Sequence, residues 1–308
     1  MQTYILQRLL QLVITIFIVS LIVFFLVRLK GDPVSVMAPP TFSEEQVAQL
    51  RRAWGFDKPL WEQYVIFLRK AVTGDFGQSI QHRIPAMEIV VERLWWTYLL
   101  AGVSALLGLI VAIPLGILSA LHRNSWIDLL STTLATVGTA MPSFWLGLML
   151  ILLFSVTLRV LPAFGIESPA GIIMPAVTLG TGMAARLSRL TRSSMLEVLG
   201  QDYIRTAYSK GLIRQRVITQ HALRNALIPV LTAFGLQLGW LLGGSVVVEA
   251  VFAWPGLGRL MIDSLNVRDI TVVQAGLFWF ALSFILINLF VDILYTFIDP
   301  RIQFEQQA

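Results

Sequence analysis

The sequence predicts an all-α membrane protein with six transmembrane helices. Apolar residues make up 56% of the 308 residues and charged ones only 13%, against roughly 25% charged in an ordinary soluble domain. Six apolar stretches approach the length of about 20 residues that a helix needs to cross the hydrocarbon core. The 23 Lys and Arg fall between them, as membrane topology signals do. The net charge of +5 therefore reads as loop charge, and no nucleic-acid-binding module accompanies it. Cysteine is absent, which removes disulfides, thiolate nucleophiles and thiolate metal sites.

The first stretch, residues 9–27, exceeds the roughly 7–15 apolar residues of a secretory signal and lacks a small-residue cleavage site after it, so residues 1–27 read as a retained anchor. The segment 28–96 carries nine basic and eight acidic residues, too balanced and too long to vote on orientation. Thr41 and Glu44 have capping-box spacing ahead of EEQVAQLRRAW, with Gly55 as the stop. A further helix from Pro59 places Trp61, Tyr64, Val65, Leu68 and Val72 on one face and ends at Gly74. This large insert is either a lid over the rim of the bundle or a docking platform for an extracytoplasmic binding protein.

The core, 97–298, contains the spans 98–121, 129–158, 171–185, 226–252 and 272–298, followed by a tail, 299–308. The span 171–185 is the weakest, being short and carrying Pro175, Gly180 and Gly182. Pro114, Pro142, Pro175 and Pro229 read as fixed kinks, tolerated where neighbours satisfy the freed carbonyls. Gly235, Gly239 and Gly243, four apart, stack three missing side chains on one face and read as a helix-packing stripe, with a pore lining as the alternative. Asp292, an acid in the last span, reads as interfacial.

Orientation follows from the segment 186–225. Its eight basic residues (Arg186, Arg189, Arg192, Arg205, Lys210, Arg214, Arg216, Arg224) face two acids, Glu197 and Asp202, so it belongs in the cytosol. With six spans, both termini are then cytosolic and 28–96 lies outside. Ser194 and Glu197 have capping-box spacing, and Asp202 is placed to cap a short helix over 203–210. Tyr203, Ala207 and Lys210 share one face of it, Ile204 and Tyr208 an adjacent one. Gly211 supplies a residue able to take positive φ, and a second helix from Arg214 runs into the fifth span. The product is a helix, a sharp bend and a helix, either a protein-docking element or a solvated hairpin. Motifs for chemistry are missing: His82, His122 and His221 are scattered, and HExxH, GxSxG and GxxxxGK[ST] are absent. No catalytic residue and no metal ligand is assigned.

Arg205-Thr206-Ala207, three further residues and Gly211 resemble the EAA loop of ABC importer permeases. TAYSKGLIRQRVITQHALRNALIPVLT is similar to the form found in dipeptide, oligopeptide and nickel importer permeases. Supporting matches are Gly31-Asp32-Pro33, LWEQY at 60–64, GDFGQS at 74–79, EAVFAWPGLGRL at 249–260, Arg268-Asp269 and Asp299-Pro300-Arg301. The general motif has Glu where Arg205 stands and Leu-Pro where Leu223-Arg224 stands, departures that resemble the variant of one of the two permeases in peptide-type importers.

The resemblance implies a bacterial inner-membrane permease subunit. Its partners would be a second homologous permease, two cytosolic ATP-binding subunits that carry the ATP and Mg, and an extracytoplasmic substrate-binding protein. The chain itself would be no enzyme and hold no cofactor. Tyr203, Ile204, Ala207 and Leu212 would give apolar contact with the ATPase groove, Arg205 and Lys210 charge complementarity and Gly211 the bend, with Thr206 and Ile213 completing the coupling segment. The implied solute is a short peptide, with nickel, glutathione or another small solute as the alternative. The rival class is an ion-coupled secondary transporter, which predicts mid-membrane acids, broken helices or internal repeats, none of them clear in the sequence. The topology has a direct check. Ser209→Cys reacts with a membrane-impermeant thiol reagent only from the inside and Gln81→Cys only from the outside; labelling of Ser209→Cys alone in intact cells reverses the orientation.

Overall fold

The computed structural model describes residues 2–26, 43–53 and 55–298, with the side chains of 2–9, 50, 53, 292 and 294–298 left aside. Gly31-Asp32-Pro33, Thr41, the tail with Asp299-Pro300-Arg301 and the Asp292 side chain lie outside the described residues. The helices are α1 (Gln2–Leu26), α2 (Glu44–Ala53), α3 (Leu60–Thr73), α4 (Ala86–Leu121), α5 (Trp126–Ala140), α6 (Ser143–Leu150, continued as a π-helical stretch Ile151–Thr157) and α7 (Ile173–Leu199). They continue with α8 (Asp202–Ser209), α9 (Arg214–Val251, with a π-helical stretch at Val217–Ala222), α10 (Leu257–Asn266) and α11 (Ile270–Ile298). Among the described residues all regular structure is helical, with one isolated bridge between Gln78 and Pro85.

Four helical segments are long and apolar enough to cross a membrane: Ala86–Leu121, Pro169–Leu199, Arg214–Val251 and Ile270–Val291. The pair Trp126–Ala140 and Ser143–Thr157 makes a fifth if its halves form one span, and the described apolar part of α1, Leu10–Leu26, is shorter. The expected continuous span 129–158 is thus corrected, since its halves meet at 107°. Pro142 is the cause. It cannot donate to the ladder and disfavours the helical region for the residue before it, and Met141 is extended at φ −72°, ψ 127°. Pro114 and Pro229 sit inside continuous helices, and Pro175 lies in the first turn of α7, where a missing N–H is harmless.

The chain divides into two compact units, Met1–Thr97 with Pro255–Leu286, and Tyr98–Trp254 with Ile287–Ala308. In the first, α2 is capped by Ser43 and Gln46, whose side chains bond each other's backbone N–H; the box sits two residues beyond Thr41 and Glu44, because Glu44 is already helical. Gly55 and Gly74 take positive φ, as placed. The stripe expected on α3 is split. Tyr64, Phe67, Leu68 and Ala71 turn inward, while Trp61, Val65 and Val72 are exposed. Tyr64 shares a 2.7 Å hydrogen bond with Ser20 and an edge-on contact with Phe24, and the rings continue through Phe67 and Phe76 to Phe278.

The loop after α3 is pinned by a buried carboxylate. Asp269 accepts from the Ser79 hydroxyl and the Gln81 N–H on one oxygen, and from the Thr271 hydroxyl (2.9 Å) and the Val272 N–H on the other. Asp269 thereby caps α11 and holds the 74–85 loop in one interaction. Beneath it Ala86, Ile89, Val90 and Leu94 of α4 pack with Leu257, Leu260 and Met261 of α10 and Val272 and Ala275 of α11.

In the second unit α7 is the centre. Its most apolar window is 61% buried, against 33% for each of the other three long spans. This explains its low hydropathy: a helix enclosed by protein need not be apolar towards lipid. α4 approaches it closely, since a Cβ on Gly116 would lie 2.4 Å from Thr191 Cβ and 2.7 Å from the Ser188 carbonyl oxygen. Of the expected glycine stripe on α9, Gly235 and Gly239 are buried. Gly243 is exposed with open space at its Cβ position, and its neighbour Gly244 is the one that meets Leu179. Gly116→Val therefore overpacks the α4–α7 contact at a cost of about 1–3 kcal/mol and lowers the thermal unfolding midpoint of the purified chain in detergent, while Gly243→Val does not. Equal shifts for the two variants would contradict this packing.

Candidate functional site

α7 does not stop where its apolar stretch stops. It runs without a break to Leu199, so Arg186, Arg189 and Arg192 are helical residues rather than members of a loop. Ser194 is buried in mid-helix and Glu197 lies one turn on, so the expected capping box there is absent. Continuation of the helix satisfies the N–H groups that such a box would serve. Asp202 likewise is not the cap of α8 but its first residue, with Gln201 in the cap position and no side-chain bond. A carboxylate in the first turn still favours the helix through the macrodipole.

Gly211 takes φ +77°. The Leu212 N–H bonds the Ala207 carbonyl at 3.3 Å and the Gly211 N–H the Tyr208 carbonyl at 2.9 Å. This pair of bonds is the Schellman motif, which ends a helix and reverses the chain with the glycine left-handed. The chain then enters α9 at Arg214.

The faces of α8 are set by what lies behind it. Ile204 is 1% exposed and Ala207 nearly as enclosed, both among Ala120, Met195, Val217, Ala222 and Ala226, with Leu212 packed at the edge. Within this chain Ile204 and Ala207, expected to meet a partner's groove, are buried against the bundle end, and Leu212 is half-buried beside them. Tyr203, Arg205, Thr206, Lys210, Gly211 and Ile213 form the exposed surface, with Ile213 at 69%. The Asn225 amide donates to the Tyr203 hydroxyl at 2.8 Å, and Arg205 lies 3.7 Å from Asp202 in an exposed pair.

A second feature fixes the same end of the unit. Arg192 donates from Nε and Nη2 to the two oxygens of Asp128, at 2.7 and 2.8 Å. The Ser119 hydroxyl and the Asn124 N–H also donate to that carboxylate. The turn between α4 and α5 is thereby fastened to α7 one turn before Met195. Sequence reasoning passed over Asp128, although Ser125 three residues earlier is a capping signal and does accept from the Asp128 N–H. Higher on α7, Arg186 donates to Gln237 of α9 at 2.6 Å and lines a cavity of about 190 Å³ beside the Pro142 break.

The two motifs GDFGQS and Arg268-Asp269 come together in the first unit through the bond between Ser79 and Asp269. In EAVFAWPGLGRL, Glu249, Phe252 and Trp254 are buried, and Ala253 at φ +50° turns the chain out of α9.

A family model described as "Binding-protein-dependent transport system inner membrane component" matches residues 112–304, and a model of the corresponding N-terminal region matches residues 1–101. The "Glutathione transport system permease protein GsiC" of Escherichia coli strain K12 is 45% identical over 306 residues, covering 99% of this chain and all of that one. Its counterpart from Shigella flexneri serotype 5b is 45% identical over the same span. Among solved structures, an inward-facing conformation of the MetNI methionine ABC transporter aligns with a TM-score of 0.60 at 21% identity, over 69% of this chain and 97% of that one, which is a likeness of fold.

One prediction follows from the bend. Gly211→Val meets no crowding, so its cost is the left-handed backbone alone, on the order of 1–2 kcal/mol. The variant reaches the membrane at near-normal level, yet solute uptake by the assembly falls strongly. Unchanged uptake with unchanged assembly would make this segment a solvated hairpin.

Proposed function

We propose, from the premise that this chain belongs to the binding-protein-dependent transport system inner membrane component family, that it forms half of a translocation path and receives ATPase motion through α8. It is a permease subunit of an ABC importer and resides in the inner membrane. Six spans are completed by α1 and by the bent pair α5–α6, with both termini in the cytosol. The insert 28–96 then lies outside, where the exposed Trp61, Val65 and Val72 suit contact with an extracytoplasmic binding protein. A second, homologous permease and two ATP-binding subunits complete the assembly. The chain is not itself an enzyme, because ATP is bound and hydrolysed by those partners.

The single observation that carries the coupling role is the construction of α8. A short helix is anchored by its inner face, ended by a left-handed glycine, and presents Tyr203, Arg205, Thr206, Lys210 and Ile213 outward. Packing on one side and a basic and aromatic surface open to solvent on the other suit a part that transmits displacement. The solute is a short peptide; the named role of the GsiC relatives in glutathione transport agrees, since glutathione is a tripeptide.

The test is reconstitution. This chain co-purifies with its ATP-binding subunits, and liposomes holding the full assembly with its binding protein import glutathione or trialanine only with ATP. Import by this chain alone in ATP-free liposomes would overturn the reading in favour of an ion-coupled transporter.

A further inference from the structure

Arg186 stands thirteen residues from Ile173 at one end of α7 and thirteen from Leu199 at the other, which is about 20 Å from either end at 1.5 Å per residue. Arg186 is exposed rather than enclosed by its own chain, and a cation in or beside a membrane span faces a water-filled cavity or a partner. Two arginines on α7 satisfy this in different ways. Arg192 is neutralised by the paired oxygens of Asp128. Arg186 instead donates through Nε to the side-chain oxygen of Gln237, a neutral group that leaves its positive charge uncompensated.

The space beside it is built open. Arg186 lines the 190 Å³ cavity together with Thr139, Thr181, Gly182 and Trp240, at the point where the Met141–Pro142 break parts α5 from α6. Gly182 lies one turn back against the guanidinium, where a Cβ would stand 3.9 Å from both Nη1 and Nη2. Gln237 holds Nε, which orients the planar fork while both terminal nitrogens keep donors in hand. That arrangement suits two-pronged recognition of a carboxylate.

We propose that Arg186, held by Gln237 in this cavity, is a recognition point for the carboxylate of the solute in transit, so that the path takes small anionic or zwitterionic solutes such as a short peptide with a free C-terminus. The inference rests on the permease reading and adds to it a site and a solute chemistry. Gln237 acts as a positioning residue, and Arg186 makes the contact.

The chain's lack of cysteine allows a test independent of solute identity. In the complete assembly, Thr139→Cys places one thiol in this chain on the cavity wall, and its labelling is followed on this chain with an anionic sulfonatoethyl and a cationic trimethylammonium-ethyl methanethiosulfonate. Adding Arg186→Gln lowers the anionic-to-cationic rate ratio about tenfold or more, and Arg186→Lys preserves it. A ratio that does not change with Arg186→Gln, or a thiol that neither reagent reaches, overturns the site. In the same liposomes, Arg186→Gln cuts uptake of trialanine about tenfold relative to the unmutated assembly and that of trialanine amide less than twofold. Comparing variant with wild type for each peptide separately cancels the binding protein's own preference. Equal effects on the two peptides overturn the inference and leave the permease reading standing, whereas an unmutated assembly without ATP-dependent import overturns that reading and the inference with it.

Discussion

The enclosure of Ile204 among Met195, Val217, Ala222 and Ala226 is the contact on which α8 and the proposed coupling surface depend. Eight residues are too few to hold a helix in water without support, so α8 exists because its apolar side is taken up by the ends of α7 and α9. Burying one such side chain contributes roughly 1.5–3 kcal/mol, and Gly211 takes the left-handed turn that follows without steric cost. The Asp128–Arg192 pair extends the same rigidity to the α4–α5 turn. A push on the outer face of α8 therefore reaches three membrane helices at once.

Away from that end, the forces are different. Apolar surface drives little association within lipid, and helices there are held by close backbone approach and by polar contacts. The α4–α7 contact at Gly116 has the first character, and the Arg186–Gln237 bond the second. The broken pair α5–α6 belongs with them, because irregular backbone at membrane depth is tolerated where it lines a cavity. A broken helix is also expected of ion-coupled transporters; here it accompanies family membership that points to an importer. In the first unit the Asp269 carboxylate does for a loop and a helix start what packing does for α8.

Much of this was legible from residue order. Most long helices, the turn at Gly211, the stops at Gly55 and Gly74 and the two-helix insert follow from hydropathy and local backbone chemistry. Three things were not legible, for reasons that lie in tertiary contact. Hydropathy ends a span where apolar residues end, at 185, whereas protein neighbours carry α7 to Leu199. A proline in a span implies a kink, but whether it kinks or breaks the helix depends on what packs around it, and at Met141 and Ser143 the break borders a cavity. Periodicity found the apolar positions of α8 and α3 without saying what covers them: Ile204 faces in, while Trp61 faces out. A fixed spacing marks the glycines of α9, while the tight approach at Gly116 has no repeat to mark it.

The most direct measurement is the ATP hydrolysed per solute imported by the reconstituted assembly carrying Ile204→Ala. If Ile204 anchors α8 to its own bundle, the ATP-binding subunits still assemble and hydrolyse ATP at near-normal rates, and the ATP used per solute rises severalfold because the displaced helix no longer moves the spans. Loss of ATPase binding with an unchanged ratio in the complexes that remain would place Ile204 in the partner's groove and contradict the account.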